Sequence, residues 1–403
     1  MHTNLHVLKF GGTSVATTLK MQTIAKKLML RHRSGQQLVI VVSAMGKSTD
    51  HLVSLAGSLT AKPDKRDMDM LLATGEQVSI ALLSMALKAQ GIDAVCLTGA
   101  QAGIKTDAIH SKARIQNIES DRIQAHLDKG SIVVVAGFQG VTDLGDITTL
   151  GRGGSDTTAV SLSAALGGTC EIYTDVDGVY SIDPRLYPAA KKLDVVSYDE
   201  MLEMASTGAG IMETRAIEVG HKYNVPLIIG LNTMDIPGTL VKELDETMEQ
   251  KAVTGLTVTD NCLMATVTRM PYDYKRIARL FASLAQENVL VDMISQTAPY
   301  DGFVTLSFTT LKDDAEIVSQ ILRQSLMDND GATFNFDDNV VKLSVVGVGM
   351  VSQTGVASKL FDIFAAHDIP FYQVTTSEIS ISYTLPKALK QQAVTHIAKA
   401  FDL

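Results

Sequence analysis

Ile147-Thr148-Thr149-Leu150-Gly151-Arg152-Gly153-Gly154-Ser155-Asp156-Thr157-Thr158-Ala159 is a glycine-rich turn set between two ordered patterns. Upstream, Ser131 to Phe138 is an apolar, β-branched run of the kind buried in parallel sheets. Downstream, Ser155 to Leu166 carries Ala, Val and Leu at helical spacing. Strand, turn, helix is the predicted order, with Ser155 or Asp156 as N-cap. The N–H groups of such a helix start, with Gly153 and Gly154 allowing close backbone approach, suit an anion. Arg152 adds a planar two-pronged donor for a carboxylate or phosphate. A capped tight turn is the plain alternative; Arg152 and Asp156 together favour a site.

The same grammar recurs on either side. Leu5 to Phe10 is a short strand feeding Lys9-Phe10-Gly11-Gly12-Thr13-Ser14, and a helix follows through Leu30. The usual phosphate loop places its lysine after the glycines, whereas Lys9 precedes them on the strand. A strand-end lysine beside backbone N–H groups can still neutralise a transferring phosphoryl group. Leu38 to Ser43 is a second buried strand, closed by Ala44-Met45-Gly46 and a polar run that opens a helix. Ser43 and Thr49 there suit either a small polar ligand or helix capping. Met68 to Gln90 is the longest helical pattern, interrupted by Gly75-Glu76. A glycine inside a helix costs about 1 kcal/mol against alanine, so close approach is expected there, and Glu76 could receive an ammonium group or stay solvated.

Further strands are read at Ala94–Thr98, Glu171–Thr174 and Pro226–Ile229, with helices between most of them. This alternation predicts an α/β layered domain with a mainly parallel sheet, whose ligands lie beyond the carboxyl ends of the strands. Lys9, Ser43, the Gly151–Asp156 turn and Thr174-Asp175 all fall there. The segment Thr174 to Arg185 reads as a binding loop, with Tyr180 offering a flat face for a base and its acids able to orient a metal or ribose. A charged segment, Lys242 to Lys251, marks a domain boundary. Beyond it Leu263–Thr297 aligns without gaps on Leu343–Ser377, pairing Met270 with Met350, Leu280 with Leu360, Phe281 with Phe361 and Ile294 with Val374. Two α+β modules are therefore expected. The second carries Gly347, Gly349 and Gly355, predicting a backbone-lined cleft at its helix start that the first, with Met270-Pro271-Tyr272-Asp273-Tyr274, lacks.

Composition narrows the classes. The 403 residues, 46% of them hydrophobic, supply two or three cores. Neither an apolar leader nor an eighteen-residue uncharged apolar run occurs, so a cytoplasmic protein without membrane insertion is expected. Cys96, Cys170 and Cys262 are scattered, against a disulfide framework or a zinc site, and no protein-built metal site is expected. A net charge of −9 without a basic run argues against a nucleic-acid partner.

Lys9-Phe10-Gly11-Gly12-Thr13-Ser14, Val42-Ser43-Ala44-Met45-Gly46, Thr74-Gly75-Glu76, Gly151-Arg152-Gly153-Gly154-Ser155-Asp156 and Tyr173-Thr174-Asp175-Val176-Asp177-Gly178 resemble the aspartate kinases, in order and over nearly the whole chain. The paired modules resemble ACT domains, which are ferredoxin-like, and the whole is most similar to the lysine-sensitive bacterial type. The resemblance implies an amino-acid-kinase domain over 1–245, a first ACT module with connecting strand over 246–335 and a second over 336–403. It implies transfer of the ATP γ-phosphoryl group, with Mg²⁺ on the nucleotide phosphates, to the β-carboxylate of L-aspartate, feeding lysine, threonine and methionine synthesis. Lys9, Arg152 and Asp156 would carry catalysis. Arg152 would hold the substrate α-carboxylate, Glu76 with Asp156 its ammonium, and Ser43, Thr49, Gly153, Gly154 and Ser155 the rest. Lys9, Gly11, Gly12, Ser14, Thr174, Asp175, Tyr180 and Arg185 would form the ATP site. Asp292, Gln296 and Thr297, with Gly349, Ser352, Gly355, Val356, Ser377 and Glu378, match effector positions for lysine and possibly threonine in a homodimer joined by ACT domains. The chain departs from the family with Glu213-Thr214-Arg215-Ala216 in place of His-Pro-Arg-Ala and Gly230-Leu231-Asn232 in place of Arg-Ser-Ser. The alternatives are a non-catalytic amino-acid sensor with a kinase-like fold, or a kinase of another small carboxylic amino acid.

Overall fold

Each buried strand read from the sequence is present in the computed structural model, which describes residues 4–244, 251–327 and 331–403. Part of the charged Lys242–Lys251 segment lies outside the described residues. By compactness the chain forms two units: Met1–Tyr180 with Lys192–Ala205 and Gly210–Thr247, and Ser181–Lys191 with Ser206–Ala209 and Met248–Leu403.

The first unit opens with β1 (Leu5–Phe10), α1 (Thr18–Arg33), β2 (Gln37–Val42), α2 (Ser48–Leu59), α3 (Lys65–Lys88) and β3 (Ala94–Leu97). It continues with β4 (Ile104–Thr106), β5 (Ile115–Ile118), α4 (Asp121–Leu127), β6 (Ile132–Ala136), β7 (Gln139–Val141), β8 (Ile147–Thr149), α5 (Gly154–Leu166) and β9 (Thr169–Thr174). β10 (Val195–Val196), α6 (Tyr198–Met204), α7 (Thr214–Tyr223), β11 (Leu227–Leu231) and β12 (Thr239–Val241) complete it. Eight strands form one sheet in the order β10-β12-β11-β9-β1-β2-β6-β3, parallel except for β11 against β12. Alternation along β1 and β9 sends Leu8, Phe10 and Tyr173 to a core shared with Met21, Ile24 and Leu28 of α1 and Ile80, Leu83 and Leu87 of α3.

A second sheet, β5-β4-β7-β8, was not foreseen; its strands are three or four residues long, too short for periodicity to register. Ile147–Thr149, expected to lead into the turn, is its edge strand. α3 has the length and composition to cross a membrane, yet its buried face packs on β3 and β6. It runs unbroken through Gly75-Glu76, because a Cβ at Gly75 would lie 2.8 Å from that of Ala44. Close approach, not a break, is the reason for the glycine.

The second unit contains β13 (Gly255–Pro271), α8 (Tyr274–Gln286), β14 (Ile294–Gln296), β15 (Phe303–Thr310), α9 (Ala315–Leu326) and β16 (Thr333–Val346). α10 (Val356–Ala366), β17 (Gln373–Thr376), β18 (Ser380–Pro386) and α11 (Lys390–Phe401) follow. The repeat is realised: α8 answers α10 with Leu280 and Leu360 both buried, and β14 answers β17 at Ile294 and Val374. The sheet order is β14-β15-β13-β16-β18-β17. β13 and β16 pair antiparallel from Gly255↔Val346 to Thr268↔Thr333, so each long strand serves both modules. β16 also runs unbroken across residues 335 and 336. Met270 and Met350 are the exception to the match. Met270 is buried in β13, whereas Met350 sits in a 3₁₀ turn, Val348–Val351, that replaces the strand end.

Candidate active site

The parallel register brings the expected residues to one edge. Lys9 sits beside Val41 of β2 and Ile172 of β9, and the ladder continues with Ser43 N–H donating to the Phe10 carbonyl and Gly137 N–H to that of Val42. Beyond this edge the loops are drawn together by missing side chains. A Cβ on Gly12 would lie 2.7 Å from the Ala44 carbonyl oxygen, and one on Gly137 2.8 Å from the Ser155 hydroxyl. Gly46 N–H donates to the Gly12 carbonyl at 3.0 Å, joining the first two loops.

Lys9 and Asp156 form an ion pair at 2.5 Å, with side chains only 13% and 12% exposed. Ser43 donates to the Ser155 hydroxyl at 3.0 Å, so Ser43 is not a helix cap. Nor is Thr49, half-buried at the second position of α2, whose N-cap is Lys47. Glu76 is 3% exposed; its Oε1 accepts the Ala44 N–H at 3.0 Å, while Oε2 is buried without a partner. Burial pushes its carboxyl up to about 7 against the pull of the Ala44 bond. A carboxylate held with one free oxygen in a dry wall is a receptor for a cation, and an α-ammonium has the right charge and size.

One expectation about the glycine turn is corrected. The N-cap of α5 is Gly153, in the left-handed region at φ 63° with no side-chain cap, so neither Ser155 nor Asp156 fills that role. Arg152 stands exposed on the turn and lines a cavity of about 930 Å³ with Lys112, Arg114, Glu213 and Arg215.

Among the residues expected to hold the nucleotide, Ser14 is buried and its N–H bonds the Gly11 carbonyl at 2.9 Å. A Cβ on Gly11 would lie 3.7 Å from the Lys9 ammonium. Thr174 donates to Asp175 at 3.0 Å, and Tyr180 donates to Asp177 at 2.9 Å, with Lys192 3.5 Å from the same carboxylate. Arg185 falls in the other unit, 90% exposed and forked onto Asp183 at 2.6–3.0 Å. That pairing holds the Asp183 carboxyl below its ordinary range.

In the C-terminal unit Asp292 is ion-paired to the buried Lys342, and its N–H donates to the Thr309 carbonyl at 3.0 Å. Gln296 is exposed at the end of β14, and Thr297 accepts the Thr305 N–H at 2.9 Å. Ser377 accepts the Ser380 N–H at 3.0 Å, with Glu378 exposed beside it. Gly347 N–H donates to the Ile379 carbonyl at 2.9 Å, bringing the glycine segment beside that turn. The predicted cleft is largely filled. A Cβ on Gly347 or Gly349 would strike the backbone of Ala252 or Lys251, so these glycines admit a crossing chain. Gly355, at φ 94°, caps α10 at Val356 and alone of the three borders open space. Ser352 bonds the Gly349 carbonyl at 3.4 Å.

The amino acid kinase family model matches residues 4–230, and an ACT domain model matches 343–401. The aspartokinase of Geobacillus stearothermophilus is 45% identical over 399 residues, covering 98% of this chain and 97% of the relative. The chain belongs to the aspartokinase family. Two structures of Escherichia coli aspartokinase III share the fold with TM-scores of 0.81 at 21% identity, covering 99% of this chain and 100% of theirs. One is a complex with aspartate and ADP (R-state), the other with lysine and aspartate (T-state).

Three residues that shape the site in this aspartokinase were not singled out from the sequence. Asp69, fully buried in α3, accepts from His110 at 2.8 Å, Thr149 at 2.5 Å and the Ser111 N–H at 3.0 Å, fixing the approach to the glycine turn. Asn232 donates to the Ser14 hydroxyl at 3.1 Å, tying the end of β11 to the first glycine loop. Arg215 bonds two backbone carbonyls beside the glycine turn. The only signal for Asn232 and Arg215 was that both lie in stretches departing from the family pattern.

Proposed function

We propose that this aspartokinase transfers the γ-phosphoryl group of ATP to the β-carboxylate of L-aspartate, giving 4-phospho-L-aspartate for lysine, threonine and methionine synthesis. The observation that carries the reading is the pairing, on one sheet edge, of a buried Glu76 with a free oxygen and a shielded Lys9–Asp156 couple. The first is a socket for the acceptor's ammonium. The second holds a lysine at the strand ends, where phosphoryl oxygens would gather.

A carboxylate acceptor with a pKa near 4 is ionised at pH 7, so no general base is required. The task is to align two anions and neutralise their crowding. Glu76 and Asp156 take the ammonium, Arg152 reaches from the turn to the α-carboxylate, and Ser43, Thr49 and Ser155 bond the remaining oxygens. Gly153 and Gly154 let the backbone approach. Lys9, with Gly11, Gly12 and Ser14, faces the phosphates, while Thr174, Asp175 and Tyr180 border the nucleoside. Mg²⁺ would ride on the nucleotide phosphates, whose crowded oxygens are its natural ligands. When bound it supplies charge neutralisation there.

Residues 1–245 carry catalysis, and modules over 246–335 and 336–403 carry regulation. Lysine, with threonine as a second candidate, is the proposed inhibitor, through Asp292, Gln296, Thr297, Gly349, Ser352, Gly355, Val356, Ser377 and Glu378, in a cytoplasmic homodimer joined by the ACT modules. Inhibition requires these positions to bind effector more tightly in the less active state. ADP release with Mg-ATP, scanned over carboxylic amino acids with and without lysine and threonine, tests both halves. Aspartate-dependent release suppressed by lysine is expected. Silence with every acceptor, while lysine still raises the melting temperature, would replace the enzyme with a sensor.

A further inference from the structure

The turn that presents Arg152 is soft by composition and firm by contact. Gly151 and Gly153 both have positive φ, 83° and 63°, and no side chain caps the helix that follows. Glycines at these positions remove strain but leave the unfastened chain free to move. Leu150, just before the turn, is held through its N–H by the Phe138 carbonyl at 2.9 Å. Its carbonyl is held from α7: Arg215 donates Nη1 to Leu150 O at 3.0 Å and Nη2 to Ala113 O at 2.9 Å. Ala113 N–H in turn donates to the Thr149 carbonyl at 3.0 Å, closing a frame around the start of the turn. On the other side Glu213, the N-cap of α7, lies against Gly153, where a Cβ would come within 2.6 Å of the Glu213 Cγ.

Arg215 is half-buried, and both of its hydrogen bonds go to neutral carbonyls. Burial, then repulsion from Arg114, hold its guanidinium below the ordinary value, although it stays charged at any working pH. A desolvated cation bonded to two separate backbone strands fixes geometry: the two prongs of its planar fork set the distance between Leu150 and Ala113.

We propose that Arg215 is a positioning residue for the acceptor: by fixing the Leu150 carbonyl and, with Glu213, the Gly153 corner, it sets where Arg152 leaves the turn to meet the acceptor's carboxylate. This rests on the reading of Arg152 as the group that binds that carboxylate.

The test compares the full-length chain with Arg215→Ala and Arg215→Lys, using acceptor and nucleotide kinetics together with amide hydrogen exchange. Arg215→Ala raises the acceptor KM about tenfold or more while the nucleotide KM moves less than about twofold. Exchange speeds up at residues 150–156 and keeps its wild-type rate in the sheet. Arg215→Lys, which regains one carbonyl bond but not the fork, recovers only part of the lost acceptor affinity and leaves the acceptor KM about threefold above wild type. An unchanged acceptor KM in a folded Arg215→Ala, or equal loss for acceptor and nucleotide, overturns the proposal. If Arg215→Ala does not fold, Arg215→Lys carries the test: a normal turn and normal acceptor KM with a single prong overturn it. If the wild-type chain phosphorylates no acceptor, the functional reading falls on its own. Exchange at 150–156, which needs no turnover, then decides the clamp, and unchanged rates in the variants refute it.

Discussion

Glu76 and Glu171 are both buried glutamates of the N-terminal unit, 3% and 4% exposed, yet their chemistry is opposite. Glu171 on β9 is met at both oxygens. Arg31 forks onto it at 2.6 and 2.7 Å, Tyr173 donates at 2.5 Å, and His6 bonds it at 2.7 Å. Burial opposes its charge, but Arg31 and His6 outweigh burial and hold the carboxyl at about 2. Glu76 has one backbone N–H, an empty second oxygen and a carboxyl at about 7. A satisfied buried charge fastens α1 to the sheet; an unsatisfied one is held ready for a ligand. The partners within reach decide which: Arg31 and His6 for Glu171, the Ala44 N–H for Glu76. His6 points with Leu8 and Phe10 toward α1, whereas Lys9 points the other way, to Asp156 of α5.

The contrast can be broken at several points. Lys9→Ala, on the catalytic side, should cut turnover about a thousandfold while circular dichroism and effector binding stay normal, since its charge acts on the transferring group. Wild-type turnover in that variant would remove Lys9 from the site. Glu171→Gln should lower unfolding stability in urea by about 3 kcal/mol, because Arg31 is left buried without its countercharge, and should leave the aspartate KM alone. Glu76→Gln should do the reverse, raising the aspartate KM about thirtyfold, roughly 2 kcal/mol, at unchanged or improved stability. If the two glutamine variants lose stability equally, the distinction between fastener and socket fails.

Acidification sharpens the same comparison over two separate windows. The ammonium needs Glu76 ionised, so aspartate affinity should be full above pH 7 and about tenfold weaker at pH 6 than at pH 8, a slope that Glu76→Gln abolishes. For stability the signs oppose. Folded Glu76 takes its proton near 7 and the unfolded side chain near 4.5, so acidification between those values stabilises through Glu76. Folded Glu171 stays ionised to about 2; its contribution is complete above 4.5 and is lost as pH falls through 2. Urea titrations of the two variants across both windows separate the effects.

How much was legible depends on how local the cause is. Gly75 announced a close approach because a glycine inside a helix leaves a gap in a pattern, and it meets Ala44, as Gly12 does. Gly347 and Gly349 sent the same signal, yet the object they admit is the 251–253 backbone rather than a ligand. A glycine tells that something comes near, not what. Asp69 and Asn232 gave no local sign of their tasks, since their partners lie about 40, 80 and 218 residues away. Arg185 was grouped with Tyr180 through the resemblance and a shared loop, whereas the chain passes between units after Tyr180.

By itself the sequence determined the mainly parallel sheet, the doubled C-terminal module and the placing of Lys9, Ser43, Glu76 and Asp156 on helices or at strand ends, because these follow from periodicity and from the backbone habits of glycine. Tertiary structure alone decided that Glu76 keeps one oxygen free, that Lys9 closes on Asp156, that Arg152 and Arg215 line one cavity, and that β13 and β16 are shared between the modules. Those outcomes depend on desolvation and on partners far along the chain, and both exist only once the chain has folded.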